Sequence, residues 1–385
     1  MSIVTAIFKK LLPRTFLKRV FLVYNGIKAR TLDKLLYKEE RIEHSMYQEF
    51  REKNPFLELR IDTVNYELDV QDKLAIWQDT AWTQDQYVLL FKNGGYIEPR
   101  TGWGVSNSYR LIYPSLGFSR APYVYKPGFF SVRMGKSSVV QFSKIISLRD
   151  TGEENYFHFY NDIIPKLYLL EERGVDLSAY DLVIGDKLFH KPYFQYFLMR
   201  SNFAHLRWYP QKNCVVSFDE AIFCKPFTHT KSYLTRTAKT MLGGMSSPAS
   251  RRIFLTRSST SLRYVENAEE LYPILTRFGF EVVDTADLTI EAQIRIFLEC
   301  RYLVAVHGAG TSNVIFRNGM PLDVLEILHP SPYLPFHYIM ICKLFGYSYD
   351  VLLGQKGGNS HNGGFRIDPG KFERRVVAML TEPEQ

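Results

Sequence analysis

Apolar positions recur along this chain with two periods. Near the start, Phe8, Leu12, Phe16 and Val20 repeat every fourth residue, and Lys10, Arg14 and Lys18 repeat on the opposite face. This pattern predicts a basic amphipathic helix over residues 1–30, started or kinked by Pro13. Residues 31–54 read as a charged connector or outer helix. From Tyr87 to Leu148 the period shortens to that of strands, with Pro and Gly breaking the runs. Tyr87–Phe91, the Asn93-Gly94-Gly95 turn and Tyr96–Ile97 predict a hairpin. Next come a loop-to-helix segment from Glu154 to Leu170, a strand at Asp181–Ile184, a helix over Pro192–Arg200 and a strand-rich stretch from Cys214 to Cys224.

The small-residue run Gly243-Gly244-Met245-Ser246-Ser247-Pro248 predicts a boundary, dividing residues 31–245 from 246–385. Beyond it, strands and helices alternate regularly. Strand Ile253–Leu255 leads to a helix ending at Phe278, with Asn267 and Glu270 spaced as a capping box. Strand Glu281–Val283 leads to helix Ile290–Cys300 capped by Thr289, then to strand 302–306. Strand Leu322–Leu328, helix Tyr333–Phe345, strand Tyr347–Leu353 and a closing helix from Pro369 complete the series. Such alternation predicts an α/β domain built on a doubly wound parallel sheet.

The most informative stretch joins strand 302–306 to the helix after it. The apolar run stops at His307, passes Gly308, Ala309 and Gly310, and enters a short helix with Thr311 or Ser312 at its N-cap position. A strand, a glycine turn and a helix start direct backbone N–H groups at an anion, and small residues let a phosphate come close. An ordinary βα turn has the same layout, so the weight comes from its companions.

The chain has 385 residues, 46% hydrophobic and 15% aromatic, with a net charge of +8. That length suffices for two packed domains, and the charge points to an anionic partner. No RNP-like, zinc-finger or helix-turn-helix pattern supports nucleic acid. No apolar run of 18 residues occurs, and the run Ile3–Phe8 is too short for a secretory signal. With seven basic and no acidic side chains, residues 1–30 instead fit a helix lying on an anionic membrane surface. The expected location is therefore cytoplasmic, peripheral on the inner face of the cytoplasmic membrane. Cys214, Cys224, Cys300 and Cys342 lack metal-ligand spacing and read as reduced thiols, with a Cys214–Cys224 bridge left open.

Four groups of residues carry candidate chemistry. Arg257 and Arg263 follow the first strand of the second domain, where guanidinium forks suit a diphosphate or stand solvated. Glu326, at the end of a strand, suits the two ribose hydroxyls of a nucleotide or a salt bridge. His158 and Asp162 share one helix face, as a general-base pair or as a capping or ionic pair. No Asp-x-Asp occurs, so charge neutralisation of a diphosphate falls to Arg and backbone N–H groups. The segment Gly357–Gly364 reads as a loop that closes over a ligand or is a plain excursion.

Three blocks resemble the family-61 glycosyltransferases. Asn155-Tyr156-Phe157-His158 with Asp162, Pro165 and Leu167 is similar to the family's N-Y-F-H-W-x-x-D-x-L-P-R-L. Thr256-Arg257 with Arg263 and Asn267 is similar to S-R-x-x-x-x-R-x-x-x-N-E. Gln293, then His307-Gly308-Ala309-Gly310 with Asn313 and Phe316, and later Glu326 are similar to E-Q followed by H-G-A-G-L-x-N-x-x-F and a Glu. Phe159, Lys166, Thr256, Ala268 and Thr311 depart from the pattern. The resemblance spans about residues 85–355. It implies a GT-B-like fold of two Rossmann-like domains facing a cleft, here with a β-rich N-terminal region. It also implies metal-independent, inverting transfer without a cofactor, from a nucleotide sugar such as a UDP-sugar to a glycan or lipid-linked acceptor in surface polysaccharide synthesis. Asp162 and His158 take the catalytic places, Asp162 as the base with Glu154 as the next candidate, and His158 orienting it or contacting the acceptor. Arg257, Arg263, His307, Gly308, Ala309, Gly310, Asn313 and Glu326 take the donor-binding places. Two competing expectations are a silent polysaccharide- or membrane-binding scaffold with this fold, and a nucleotide-linked epimerase. The second lacks a glycine fingerprint after the first strand, at Arg257-Ser258-Ser259.

Overall fold

The computed structural model describes residues 56–65, 81–107, 111–112, 115, 138–257, 262–330, 335–355 and 363–381. The amphipathic helix expected over 1–30, the segment 31–54 and most of the Gly357–Gly364 loop lie outside them. Among the described residues, two sheets carry the molecule.

The first sheet contains β1 (Phe56–Asn65), β2 (Ala81–Phe91), β3 (Gly95–Ile97), β4 (Gly104–Ser106), β5 (Leu111–Ile112), β6 (Val139–Ser147), β7 (Asp181–Gly185), β8 (Arg207–Gln211) and β9 (Val215–Lys225). Its main path is β5-β4-β3-β9-β6-β7-β8, with β2 on β9 and β1 on β2. The strands from β9 to β8 along this path run parallel. The expected hairpin at 87–97 does not form. Instead β2 and β3 pair one after the other with β9, at 221–225 and 216–218. Gly94, at φ +64°, makes the step between them and bonds Asp219. The glycine turn thus shifts one strand along its partner rather than reversing it.

The second sheet contains β10 (Arg251–Leu255), β11 (Glu281–Val283), β12 (Cys300–Val306), β13 (Asp323–Leu328) and β14 (Ser348–Leu353), ordered β11-β10-β12-β13-β14 and all parallel. Counted from β10 this is the order 2-1-3-4-5 of a doubly wound sheet. Its winding reverses between β10 and β12, and the carboxyl ends of those two strands open a crevice.

Helix α1 joins β6 to β7. It runs through Tyr156–His158, a π-turn at Phe159–Ile163, and Ile164–Glu172. Asn155 caps its start, accepting from Phe157 N at 2.8 Å. Pro165 has no N–H to give to the carbonyl of Asn161 and its ring would press on it. The wider π-turn, in which Ile164 N reaches Phe159 O, opens the ladder at that point. Residues 159–170 are buried without a break, so α1 is a core helix rather than a surface one. The other helices are α2 (Asp186–Phe189), α3 (Pro192–Arg200), α4 (Lys231–Leu242), α5 (Ala268–Arg277), α6 (Ile290–Glu299), α7 (His337–Phe345) and α8 (Pro369–Thr381). Thr289 caps α6 as expected, accepting from Ala292 N. Asn267 does not cap α5. Its side chain bonds both Ile367 N and Ile367 O, pinning the C-terminal segment to the start of that helix.

Side chains alternate across the second sheet. Ile253, Leu255, Leu303 and Ala305 face one way, into a cluster shared with Ile146, Leu182, Ile222, α1 and α4. Phe254, Val304, Val306 and Leu325 face the other way, against α5 and α8. One apolar core therefore runs from the first sheet into the second. All four cysteines are free and buried, so the Cys214–Cys224 bridge is not formed.

Candidate functional site

Arg257 stands two residues past β10, and the His307–Gly310 turn follows β12 directly, so both edges of the crevice carry a predicted site residue. Arg257 Nη1 donates to His307 O at 2.8 Å. A Cβ on Gly308 would stand 2.1 Å from that nitrogen. Gly308 is extended, at φ 176°, so its smallness serves the guanidinium that crosses it rather than the backbone conformation. A Cβ on Gly310 would meet Thr285 Oγ1 at 3.0 Å. The two glycines thus also admit the protein's own side chains. Ala309–Arg317 is a 3₁₀ helix with Gly308 as its N-cap, so neither Thr311 nor Ser312 caps it. Among the described residues, the N–H groups of Gly308, Ala309 and Gly310 take no backbone bond, and Ala309 and Gly310 are partly exposed.

Arg263 adopts a left-handed backbone, φ +62°, and its buried Nε has no hydrogen-bond partner. Burial and the like charge of Arg263 lower Arg257 below the usual arginine value, against weaker attraction from Tyr338 and Asp284. Among the described residues, neither guanidinium is ion-paired with a carboxylate. Two cations held close, beside unpaired N–H groups at a strand-to-helix turn, form an anion site.

Two predicted donor contacts are buried. Glu326 is 0% exposed. Its Oε1 holds His307 Nδ1 at 2.5 Å and its Oε2 accepts from Tyr349 at 2.5 Å. Both of its oxygens are thus engaged, and it fixes the imidazole beneath the turn. Asn313 is also 0% exposed, bonded by Tyr156 and to Gln293. It is a joint between elements. Tyr338, which no sequence signal marks, donates to Gly308 O at 2.6 Å and packs on His307.

On α1, His158 Nδ1 and Asp162 Oδ2 are 2.6 Å apart. The histidine side chain is 21% exposed and the carboxylate 7%. Asn161 donates to Asp162 Oδ1 at 3.0 Å and itself accepts from His229 N at 2.8 Å. Burial pulls the His158 pKa down, but the hydrogen bond to Asp162, its charge and that of Asp150 outweigh it, so the net shift is upward. The preceding loop is fixed by buried charge. Lys166 Nζ binds Asp150 at 2.9 Å, and Arg149 Nε binds Glu153 at 2.9 Å. Lys166 is thus a core residue and not a ligand group. Glu154, the other carboxylate near the start of α1, is exposed and paired with Lys187.

Between the two parts lies an aromatic floor. Phe157 packs on His337 at 4.6 Å and on His229 at 5.8 Å. The two imidazoles stack, with His337 Nδ1 and His229 Nε2 at 3.4 Å. Burial pushes His229 down to about 3. It also lowers His337, together with the charges of His229, His307 and His158. Both are therefore neutral near pH 7. Among the described residues, no three His, Cys, Asp or Glu side chains converge as a metal-binding group.

The site thus has a cationic, N–H-rich part and an imidazole–carboxylate part, joined by the ring packing of His158, Phe157, Tyr338 and His307. Residues 156–323 match the family model for glycosyltransferase 61. A comparison with curated proteins gives no match. The glycosyltransferase 61 match begins with α1 and ends at the start of β13. It takes in His158, Asp162, Arg257, Arg263, the His307–Gly310 turn and Asn313. Glu326, Tyr338 and Tyr349, which brace the turn from behind, lie beyond it. The match supports the resemblance seen in the three sequence blocks, and with it glycosyl transfer. Among the described residues, no helix is long and apolar enough to cross a membrane.

Proposed function

We propose that this chain is an inverting glycosyltransferase of GT-B-like architecture that moves a sugar from a nucleotide donor to a hydroxyl of a glycan or lipid-linked acceptor. The observation that carries the proposal is the pair Arg257 and Arg263, without a carboxylate partner among the described residues, beside the open N–H groups of the Gly308–Gly310 turn. A departing diphosphate supplies the missing negative charge, and preorganised donors stabilise it as it forms. Neutralisation by these groups makes a divalent metal unnecessary.

Inversion needs one proton acceptor opposite the leaving group. Both Asp162 oxygens are already engaged, and His158 is the more exposed member of the pair. His158 therefore takes the proton from the acceptor hydroxyl, and Asp162 holds its ring and stabilises the imidazolium that results. The hydroxyl oxygen attacks the anomeric carbon, the bond to the diphosphate breaks, and the diphosphate leaves toward Arg257 and Arg263. We place this reaction in surface polysaccharide synthesis at the inner face of the cytoplasmic membrane, with residues 1–30 as the contact to anionic lipid.

The test is a screen of UDP-, GDP- and CMP-sugars for turnover, run with and without EDTA. Turnover of one nucleotide class, unaffected by chelation, is expected. Strict dependence on added Mn²⁺ or Mg²⁺ contradicts the arginine-based neutralisation, and binding of glycan without turnover of any donor favours the silent scaffold.

A further inference from the structure

The base pair and the anion site sit on different elements, and their spacing decides whether transfer occurs. A line of buried and partly buried side chains spans that gap. Tyr160 OH donates to Tyr156 OH at 2.5 Å, and Tyr156 OH donates to Asn313 Oδ1 at 2.7 Å. Asn313 Nδ2 donates to Gln293 Oε1 at 3.2 Å. Gln293 Nε2 then donates to the carbonyls of Thr285 and Leu288, each at 3.1 Å. The first two residues belong to α1, two positions to either side of His158. Asn313 belongs to the 3₁₀ helix whose first turn carries the open N–H groups. Thr285 flanks Gly310 at that same turn.

We propose that Tyr160, Tyr156, Asn313 and Gln293 form a positioning relay that holds the His158–Asp162 pair in register with the diphosphate site. The inference rests on the glycosyltransferase reading above. Every proton in the line has one direction. Each tyrosine hydroxyl gives its proton onward, so Asn313 must present its oxygen to Tyr156 and its amide to Gln293, and Gln293 must do likewise toward the 285–288 loop. A chain with one consistent orientation defines a single geometry, because reversing any amide leaves a buried group unsatisfied. Burial of Tyr156 raises its pKa strongly, which keeps it a neutral donor. The apolar contact of Tyr160 with Phe316 supports the same joint but allows sliding. The hydrogen bonds do not.

The test uses the full chain and the nucleotide sugar that the wild type turns over. Tyr156→Phe keeps the ring packing on Tyr160 and Tyr193 and removes the hydroxyl that links Tyr160 to Asn313. It should lower kcat ~10-fold, since small misplacements of reacting groups are costly, while donor KM stays within ~2-fold. Asn313→Ala should lower kcat at least as far. The double variant should be no worse than Asn313→Ala alone, because both remove one link. Should Asn313→Ala fail to fold, Tyr156→Phe and Gln293→Met keep the comparison. A lower melting temperature with unchanged kcat would show a purely structural joint and overturn the relay, as would additive effects in the double variant. A wild type that turns over no UDP-, GDP- or CMP-sugar overturns the underlying reading and the relay together. A normal wild type with normal Tyr156→Phe kinetics overturns the relay alone.

Discussion

Single residues decide the chemistry, and the pair His158 and Asp162 makes a distinctive pH prediction. The net shift on His158 is upward from 6.5 because Asp162 and Asp150 together outweigh its burial. The base form therefore appears only as pH rises through a value above that of an ordinary histidine, and kcat/KM should climb through the same range. Asp162→Asn removes the nearest favourable charge and leaves burial dominant. In that variant the rising limb should move to lower pH while kcat falls ~10²-fold. A pH–rate profile of both proteins checks this. An unmoved limb, or one in the carboxylate range for the wild type, would return the base to Asp162. At the same scale, Gly308, which reads as space for phosphate, also leaves space for Arg257. The motif His307-Gly308-Ala309-Gly310 is visible in the sequence. Which atom each glycine admits is not, because that depends on a side chain some fifty residues earlier.

Elements are the most legible level. The strand and helix series from β10 to α8 follows the hydrophobic periodicity closely, because buried parallel strands and amphipathic helices leave strong, distinct patterns. Thr289 acts as its spacing suggests. Asn267 has equally good capping spacing and does something else, since Ile367 offers it both a donor and an acceptor. The Asn93-Gly94-Gly95 turn fails as a hairpin signal for a related reason. Strand β9 is long enough to take two partners end to end, and local turn chemistry does not report that. The π-turn in α1 is hidden too, although Pro165 is its signal. Glu326 and Asn313 stand close to the turn but at another depth than expected. Their polar character suggests ligand contact, while in the structure both are 0% exposed and bonded to neighbouring elements.

At the scale of the molecule, the division at 245–246 marks two sheets but not two separate cores, because the cluster around α1 and α4 continues through the boundary. The 3₁₀ helix and α1 therefore border one continuous apolar core. The basic segment 1–30 supplies the proposed contact to membrane. Vesicles containing anionic lipid should sediment the full chain and lose it at high salt, while a chain starting near residue 31 should stay in solution and keep its activity on soluble acceptors. Equal sedimentation of both would mean that another surface binds lipid. The central claim, however, is that the diphosphate sits where the winding of the second sheet reverses, between Arg257, Arg263 and the Gly308–Gly310 turn. The most direct measurement is calorimetric titration of UDP and GDP into the wild type and Arg257→Ala, with thermal unfolding of both proteins recorded alongside. Saturable binding of one nucleotide by the wild type is expected, with a loss on the order of 2–3 kcal/mol in the variant, as for a charge-assisted contact, and little change in melting temperature. Equal affinity in a folded Arg257→Ala protein would contradict it.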